Sequence, residues 1–176
     1  DYSQRLLGAA RCRAKGLNGR NNGGKLWLVR ADLRNLPLAP KPLFDAILIL
    51  FCTLGNLDVA NQEHLLQCCH SMLRSGGRIV VDGLSQRWHA ENCPRKVSWR
   101  PTAAPEFEVT DEIGQQSDEG VLTVRRSIKL PTHTRTFELT QHLYTPERLR
   151  QLLAGAGFRE VQMWGDWTLR PLDRAC

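Results

Sequence analysis

Three groups of side chains in this 176-residue chain could carry chemistry. His142 and Tyr144 close a strand-like run, and Trp88 with His89 follow Asp82-Gly83. A histidine so placed can act as a base near neutral pH. Six cysteines, Cys12, Cys52, Cys68, Cys69, Cys93 and Cys176, could in principle hold a metal or a redox couple. No pair has the C-x-x-C spacing of a zinc knuckle or redox site, so free thiols in a reducing cytoplasm are expected. His64 and His70 stand at i and i+6 on a predicted helix, share no face and indicate no metal site. Each of these groups also has a plain reading: strand or flap packing for the aromatics and histidines, and a cap or turn for Asp82.

What must position these groups is the stretch 44–57, FDAILILFCTLGNL. Its apolar run, Ala46 to Phe51, fits a strand covered on both faces, as in the middle of a parallel sheet. The run stops at the small polar loop Thr53-Leu54-Gly55-Asn56. In open α/β sheets, ligands sit just past the carboxyl ends of such strands. Cys52 to Leu57 holds that position here.

Composition sets the frame. The chain is 41% hydrophobic and 24% charged, which favours an ordinary globular domain over disorder. No apolar run approaches the length needed to cross a bilayer, and the opening Asp1-Tyr2-Ser3-Gln4-Arg5 is not a signal-peptide pattern. The net charge of +6 falls within residues 1–35, which hold eight Lys/Arg against two Asp. A basic segment can meet an anionic partner, but no aromatics alternate with the cations as on a base-stacking platform. A solvated helix face and loop is the simpler expectation.

Along the chain, Ser3 is a predicted N-cap, with Leu6, Leu7, Ala10 and Ala14 at helical spacing up to Gly16. Lys25 to Arg30 reads as a short strand, followed by a proline-rich loop and the central strand 44–51. Asp58 caps a helix over about 60–74 with a buried stripe of Leu65, Leu66, Cys69, Met72 and Leu73, and Ser75-Gly76-Gly77 stops it. Arg78 to Val81 is the next strand, with Asp82-Gly83 at its end. This helix–strand–strand–helix–strand order is the grammar of a parallel sheet with crossovers. Residues 85–106 have no period. Then Phe107–Ile113, Val121–Leu130 and Thr136–Tyr144 read as antiparallel strands, the first two joined by a turn at Gln116 to Gly120. Thr145 and Pro146 announce a last helix, lined by Leu149, Leu152, Leu153 and Ala156 and closed by Gly157. Phe158 to Trp164 reads as a final strand. The expected divisions are 1–84 as a partial α/β core, 85–144 as an inserted β flap, and 145–176 as the last helix and strand of the core.

In this order the chain resembles a class I S-adenosylmethionine-dependent methyltransferase of the small-molecule type. The matching pieces are DYSQRLLGAARCRA, VRADLRNLPL, FDAILILFCTLGNL, LLQCCHSMLRSGGRIVVDG and LYTPERLRQLLAGAGFREV. The resemblance implies a Rossmann-like α/β fold and S-adenosyl-L-methionine as cofactor. Asp1 matches the acid that accepts the ribose hydroxyls, and Tyr2 would pack on the adenine. Asp32 matches the acid that takes the adenine amine, with Ala31 and Leu33 flanking the ring. Phe51 would line the site near the sulfonium and the incoming acceptor. The flap would wall the acceptor pocket and, in some members, form a homodimer contact.

The family's glycine-rich loop, E/D-x-G-x-G-x-G, is absent from these residues; Gly23-Gly24 and Gly76-Gly77 do not replace it. Only glycine lets a backbone approach the methionine part of the cofactor so closely. The resemblance therefore implies a fragment lacking the family's first strands and clipped at both ends, by itself a weak or non-binder of the cofactor and inactive, the methyl transfer belonging to the complete protein. Methyl transfer from a sulfonium is an in-line displacement that needs alignment above all. A base is required only where the acceptor must lose a proton, and His142, Tyr144, Trp88 and His89 are the candidates. The competing enzyme reading is an RNA or protein methyltransferase. It lacks the N-P-P-Y/F signature, in whose place stands Cys52-Thr53-Leu54-Gly55. A non-catalytic, binding-only remnant is the other alternative.

Overall fold

Ser3 opens the first helix, α1 (Gln4–Leu17), its hydroxyl accepting the Leu6 amide at 3.3 Å. The expected cap and helix are both present. The computed structural model describes residues 3–17, 26–104 and 106–172. Two units divide the chain, Asp1–Pro40 and Lys41–Cys176.

In the first unit, the expected strand over Lys25 to Arg30 does not form: residues 26–30 belong to no strand. Leu26, Trp27 and Val29 are 63%, 80% and 49% exposed. A strand needs a neighbour to take its backbone groups. Among the described residues no ladder includes this segment.

The second unit holds two sheets. The first is a parallel pair, β1 (Phe44–Ile49) and β2 (Leu73–Val81), joined by α2 (Val59–Met72). Asp58 caps α2, accepting the Asn61 amide at 2.9 Å. The predicted stripe Leu65, Leu66, Cys69, Met72 and Leu73 is buried, and Gln62 joins it. The helix stops at Met72 and pairing begins at once, with Phe44 opposite Leu73 and Ala46 opposite Arg78. Between these two points β2 bulges through Gly76, whose φ of +76° suits glycine.

The expectation that β1 is covered on both faces is not met. Ile49 is buried, but Leu48 is 63% exposed and Val80 beside it 40% exposed. The reason is the sheet itself: β1 pairs with β2 alone among the described residues, and its other edge carries no strand.

The aperiodic stretch after Asp82 contains two elements that periodicity did not reveal. They are the two-turn helix α3 (Gln86–Asn92), capped by Ser85, and the strand β3 (Lys96–Trp99). β3 is the edge of a four-stranded antiparallel sheet completed by β4 (Glu108–Ile113), β5 (Val121–Lys129) and β6 (Thr134–His142), in that spatial order. The predicted flap is this sheet, and the turn at Gln116 to Gly120 stands, with Gly120 donating to the Ser117 carbonyl at 2.9 Å.

The strand register sorts the sheet into two faces. Val97, Asp111, Arg126 and Phe137 lie in one row, with Trp99, Val109 and Ile128 in the next. The other face is polar, built from pairs such as Ser98–Thr110 and Ser127–Thr136 at 2.9 and 3.0 Å. Arg126 forks onto the Asp111 carboxylate with two bonds of 2.7 Å and lies over the Trp99 ring. Such a pair tolerates partial burial because both carboxylate oxygens are met by the guanidinium.

Thr145 and Pro146 start α4 (Pro146–Gly155), as predicted, and Thr145 accepts the Arg148 amide at 3.1 Å. Leu152, Leu153 and Ala156 are buried on it. The expected strand over Phe158 to Trp164 is absent: only Trp164 makes an isolated bridge, to Pro171. Phe158 instead sets its ring edge-on to His70 of α2 at 5.1 Å. Among the described residues, no helix is long and apolar enough to cross a membrane.

Candidate functional site

The carboxyl ends of β1 and β2 meet in a hydrogen-bonded knot. β1 ends at Ile49, two residues before the predicted end at Phe51, and the chain turns sharply. Phe51 and Cys52 both adopt left-handed backbone, with φ of +60° and +54°. Such conformations cost roughly 1–3 kcal/mol each in a non-glycine residue and persist only when their surroundings hold them. Here the holder is Asp82, at the end of β2. Its carboxylate accepts the Phe51 amide at 2.9 Å and the Cys52 amide at 2.7 Å. The Asp82 amide donates to the Ile49 carbonyl at 3.2 Å. The Thr53 hydroxyl donates to the Leu50 carbonyl at 2.6 Å, closing the turn from its other end.

This turn presents Phe51 at 89% exposure, outside the core. Cys52 is half-buried, and burial, with Asp82 beside it, pushes its thiol pKa upward. Next comes a single 3₁₀ turn, Leu54–Asn56, in which Leu54 is wholly buried.

The antiparallel sheet reaches this place through the end of β6. A Cβ on Gly55 would lie 2.6 Å from the His142 carbonyl oxygen, so only glycine permits the approach. Beyond β6, Tyr144 bridges Ser85 in parallel, donating its amide to Leu84 and accepting that of Gln86. Its side chain is buried, and its hydroxyl donates to Gln62 Oε1 at 3.1 Å. Gln62 Nε2 donates in turn to the Leu57 carbonyl at 2.7 Å. Burial pushes the Tyr144 pKa upward, with a smaller push from Cys52. Asp82, Cys52, Gln62 and Tyr144 thus belong to one assembly at the strand ends.

No family model matches this chain, and no curated protein matches it in sequence. Solved structures do match in shape. An S-adenosylmethionine-dependent methyltransferase from Clostridium acetobutylicum superposes with a TM-score of 0.76 at 16% identity, over 99% of this chain and 68% of that one. The CcbJ methyltransferase of Streptomyces caelestis gives 0.76 at 18% identity, over 99% and 73%. A sugar N-methyltransferase from a Streptoalloteichus species gives 0.58 at 18%, over 89% and 60%. The fold is that of a class I methyltransferase. At such identities the likeness carries the fold and assigns no residue a role.

Within the methyltransferase fold, the candidate residues fall as follows. Asp1 and Tyr2 lie outside the described residues. Asp32 stands in the first unit, between the half-exposed Ala31 and Leu33. Its carboxylate is gripped by Arg34: the backbone amide at 2.9 Å, Nε at 3.0 and 3.2 Å, and Nη2 at 2.6 Å. These bonds hold its pKa down at about 2. An adenine amine at Asp32 would have to displace one of them.

Tyr144 comes into the assembly with its hydroxyl already committed, while the ring of His142 is half-exposed. Of the other base candidates, His89 is buried on α3, which lowers its pKa, and Trp88 is 51% exposed. Gln62 is the member that sequence reasoning missed. Its only signal was a polar residue at i−3 from Leu65 on the stripe side of α2. Among the described residues no cluster suits a metal ion. A cleft of about 210 Å³ between α2 and α4 is lined by Glu63, Gln67, Arg148, Gln151, Leu152 and Gly155, none of them a candidate.

Proposed function

We propose that this protein takes part in S-adenosylmethionine-dependent methyl transfer to a small-molecule acceptor. The observation that carries the reading is the strained, clamped turn at the carboxyl end of β1, on a methyltransferase fold. That is where open α/β sheets bind ligands. Strained backbone held by its surroundings clusters at active sites and ligand clamps.

The residues of this chain fit the nucleoside part of the cofactor in kind. Taken separately, the first unit would offer the Asp32 carboxylate to an adenine amine, with Ala31 and Leu33 beside it, and the second unit would offer the exposed Phe51 ring as apolar contact. When bound, the cofactor supplies an activated methyl group. The chain's own part is to orient the acceptor and exclude water. The methionine part does not fit, since no glycine-rich loop stands among the 176 residues. The antiparallel sheet would wall the acceptor pocket; Arg125 and Lys129 on one face, or Arg135 on the other, would suit an anionic or sugar-like acceptor, whereas Arg126 is held by Asp111. The sheet would also serve as a homodimer contact. The sugar N-methyltransferase among the matching structures supports an acceptor of this class.

The test is to incubate the protein with methyl-labelled cofactor and a fractionated metabolite extract. Label recovered in a small-molecule fraction is the expected result. Label found only in RNA or protein refutes the acceptor class, and label found nowhere refutes methyl transfer by this chain.

A further inference from the structure

We propose that Asp82 is a positioning residue: its carboxylate locks the Leu50–Thr53 turn and so fixes the direction in which Phe51 is presented. The proposal rests on the methyl-transfer reading for what Phe51 meets, and on geometry alone for the lock.

Two consecutive non-glycine residues at positive φ are unstable unless held. In that conformation both amides point the same way, across to the end of the neighbouring strand. The groups facing them are the two oxygens of one carboxylate, at 2.9 and 2.7 Å. The Asp82 amide is itself fixed to Ile49, so the acid cannot drift along the strand. Charge-assisted bonds of this kind are worth more than neutral ones. The Thr53 hydroxyl closes the same turn from the other side. What the lock produces is an aromatic ring presented at 89% exposure at a strand end. The acid stands three residues before Ser85, whose backbone pairs with Tyr144. The end of the antiparallel sheet and the turn are thereby set by one short segment.

The test follows amide exchange in the full chain by ¹⁵N NMR, in wild type, Asp82→Asn and Asp82→Ala. Asparagine keeps one acceptor oxygen and turns a donor toward the other amide. One of the two amides is then expected to exchange about tenfold faster while its partner stays protected, from the usual strength of a bond to a charged group. In Asp82→Ala both amides reach the rates of open loops, and the Gln86 amide, bonded to Tyr144, keeps its protection. Uniform acceleration across the whole strand end, or unchanged exchange at Phe51 and Cys52, overturns the proposal. Should the alanine variant fail to fold, the asparagine variant carries the test by itself. In a methyl-transfer assay, Asp82→Asn raises the acceptor KM several-fold, a change that loss of folded enzyme, which lowers only apparent kcat, would not produce. Selective exchange without methyl transfer by the wild type refutes the reading of function and leaves the lock standing. Methyl transfer with unchanged exchange does the reverse.

Discussion

Tyr144 and Gln62 illustrate what one buried hydrogen bond implies. Gln62 is 2% exposed, and the Tyr144 hydroxyl is the donor that meets its Oε1. Removing that hydroxyl leaves a buried acceptor unpaired, at a cost of about 1–3 kcal/mol. Tyr144→Phe should lower the denaturant midpoint accordingly, and Tyr144→Phe combined with Gln62→Leu should recover part of the loss. Cys69 gives a pH signature. Burial first, and Cys68 second, raise its thiol pKa from 9.0 to about 11. A raised pKa means the folded state holds its proton longer than the unfolded one, so the contribution is complete below pH 9 and lost as pH rises toward 11. Denaturation midpoints measured across that window should fall, and Cys69→Ala should remove part of the slope, with Cys52 and Tyr144, whose pKa values are also raised, contributing to the rest. At this scale sequence reading was uneven. Caps are local, so Ser3, Asp58 and Thr145 were legible. The roles of Asp82 and Gln62 were not, because each depends on partners far along the chain.

The elements that formed as expected are those whose signal is self-contained. α2 and α4 carry both a cap and an apolar stripe, and β4 to β6 carry hairpin turns. α3 is only two turns long, too short for a period to show, and β3 is a strand only because β4 offers a ladder. The segments at 26–30 and 158–164 read as strands by composition, yet composition cannot supply a neighbour. The joint between elements is tightest at Gly55, packed against the end of β6. Gly55→Ala would drive a methyl group to 2.6 Å from the His142 carbonyl. Overpacking of this kind costs about 1–3 kcal/mol. The expected outcome is a lowered Tm together with shifted amide resonances at Leu143 and Tyr144. An unshifted spectrum would mean that the approach is looser than described.

Across the whole molecule, the order of elements was enough to reveal a methyltransferase fold, and solved structures bear this out at 16–18% identity. Order survives divergence because each crossover and hairpin is imposed by backbone geometry rather than by particular side chains. Binding demands more than order. Without a glycine cradle for the methionine part, this chain should bind S-adenosylhomocysteine more weakly than micromolar. Calorimetric titration checks this, and a micromolar constant would show that other residues fill that role.

The lone edge of β1 has a practical corollary for anyone handling this polypeptide. Among the described residues no strand pairs with this edge over Ala46 to Ile49, which carries no charged gatekeeper and stands beside the exposed Leu48. Such ribbons recruit their like. Turbidity on concentration should therefore begin there, and a lysine at position 48 should clear the solution while leaving the helices untouched.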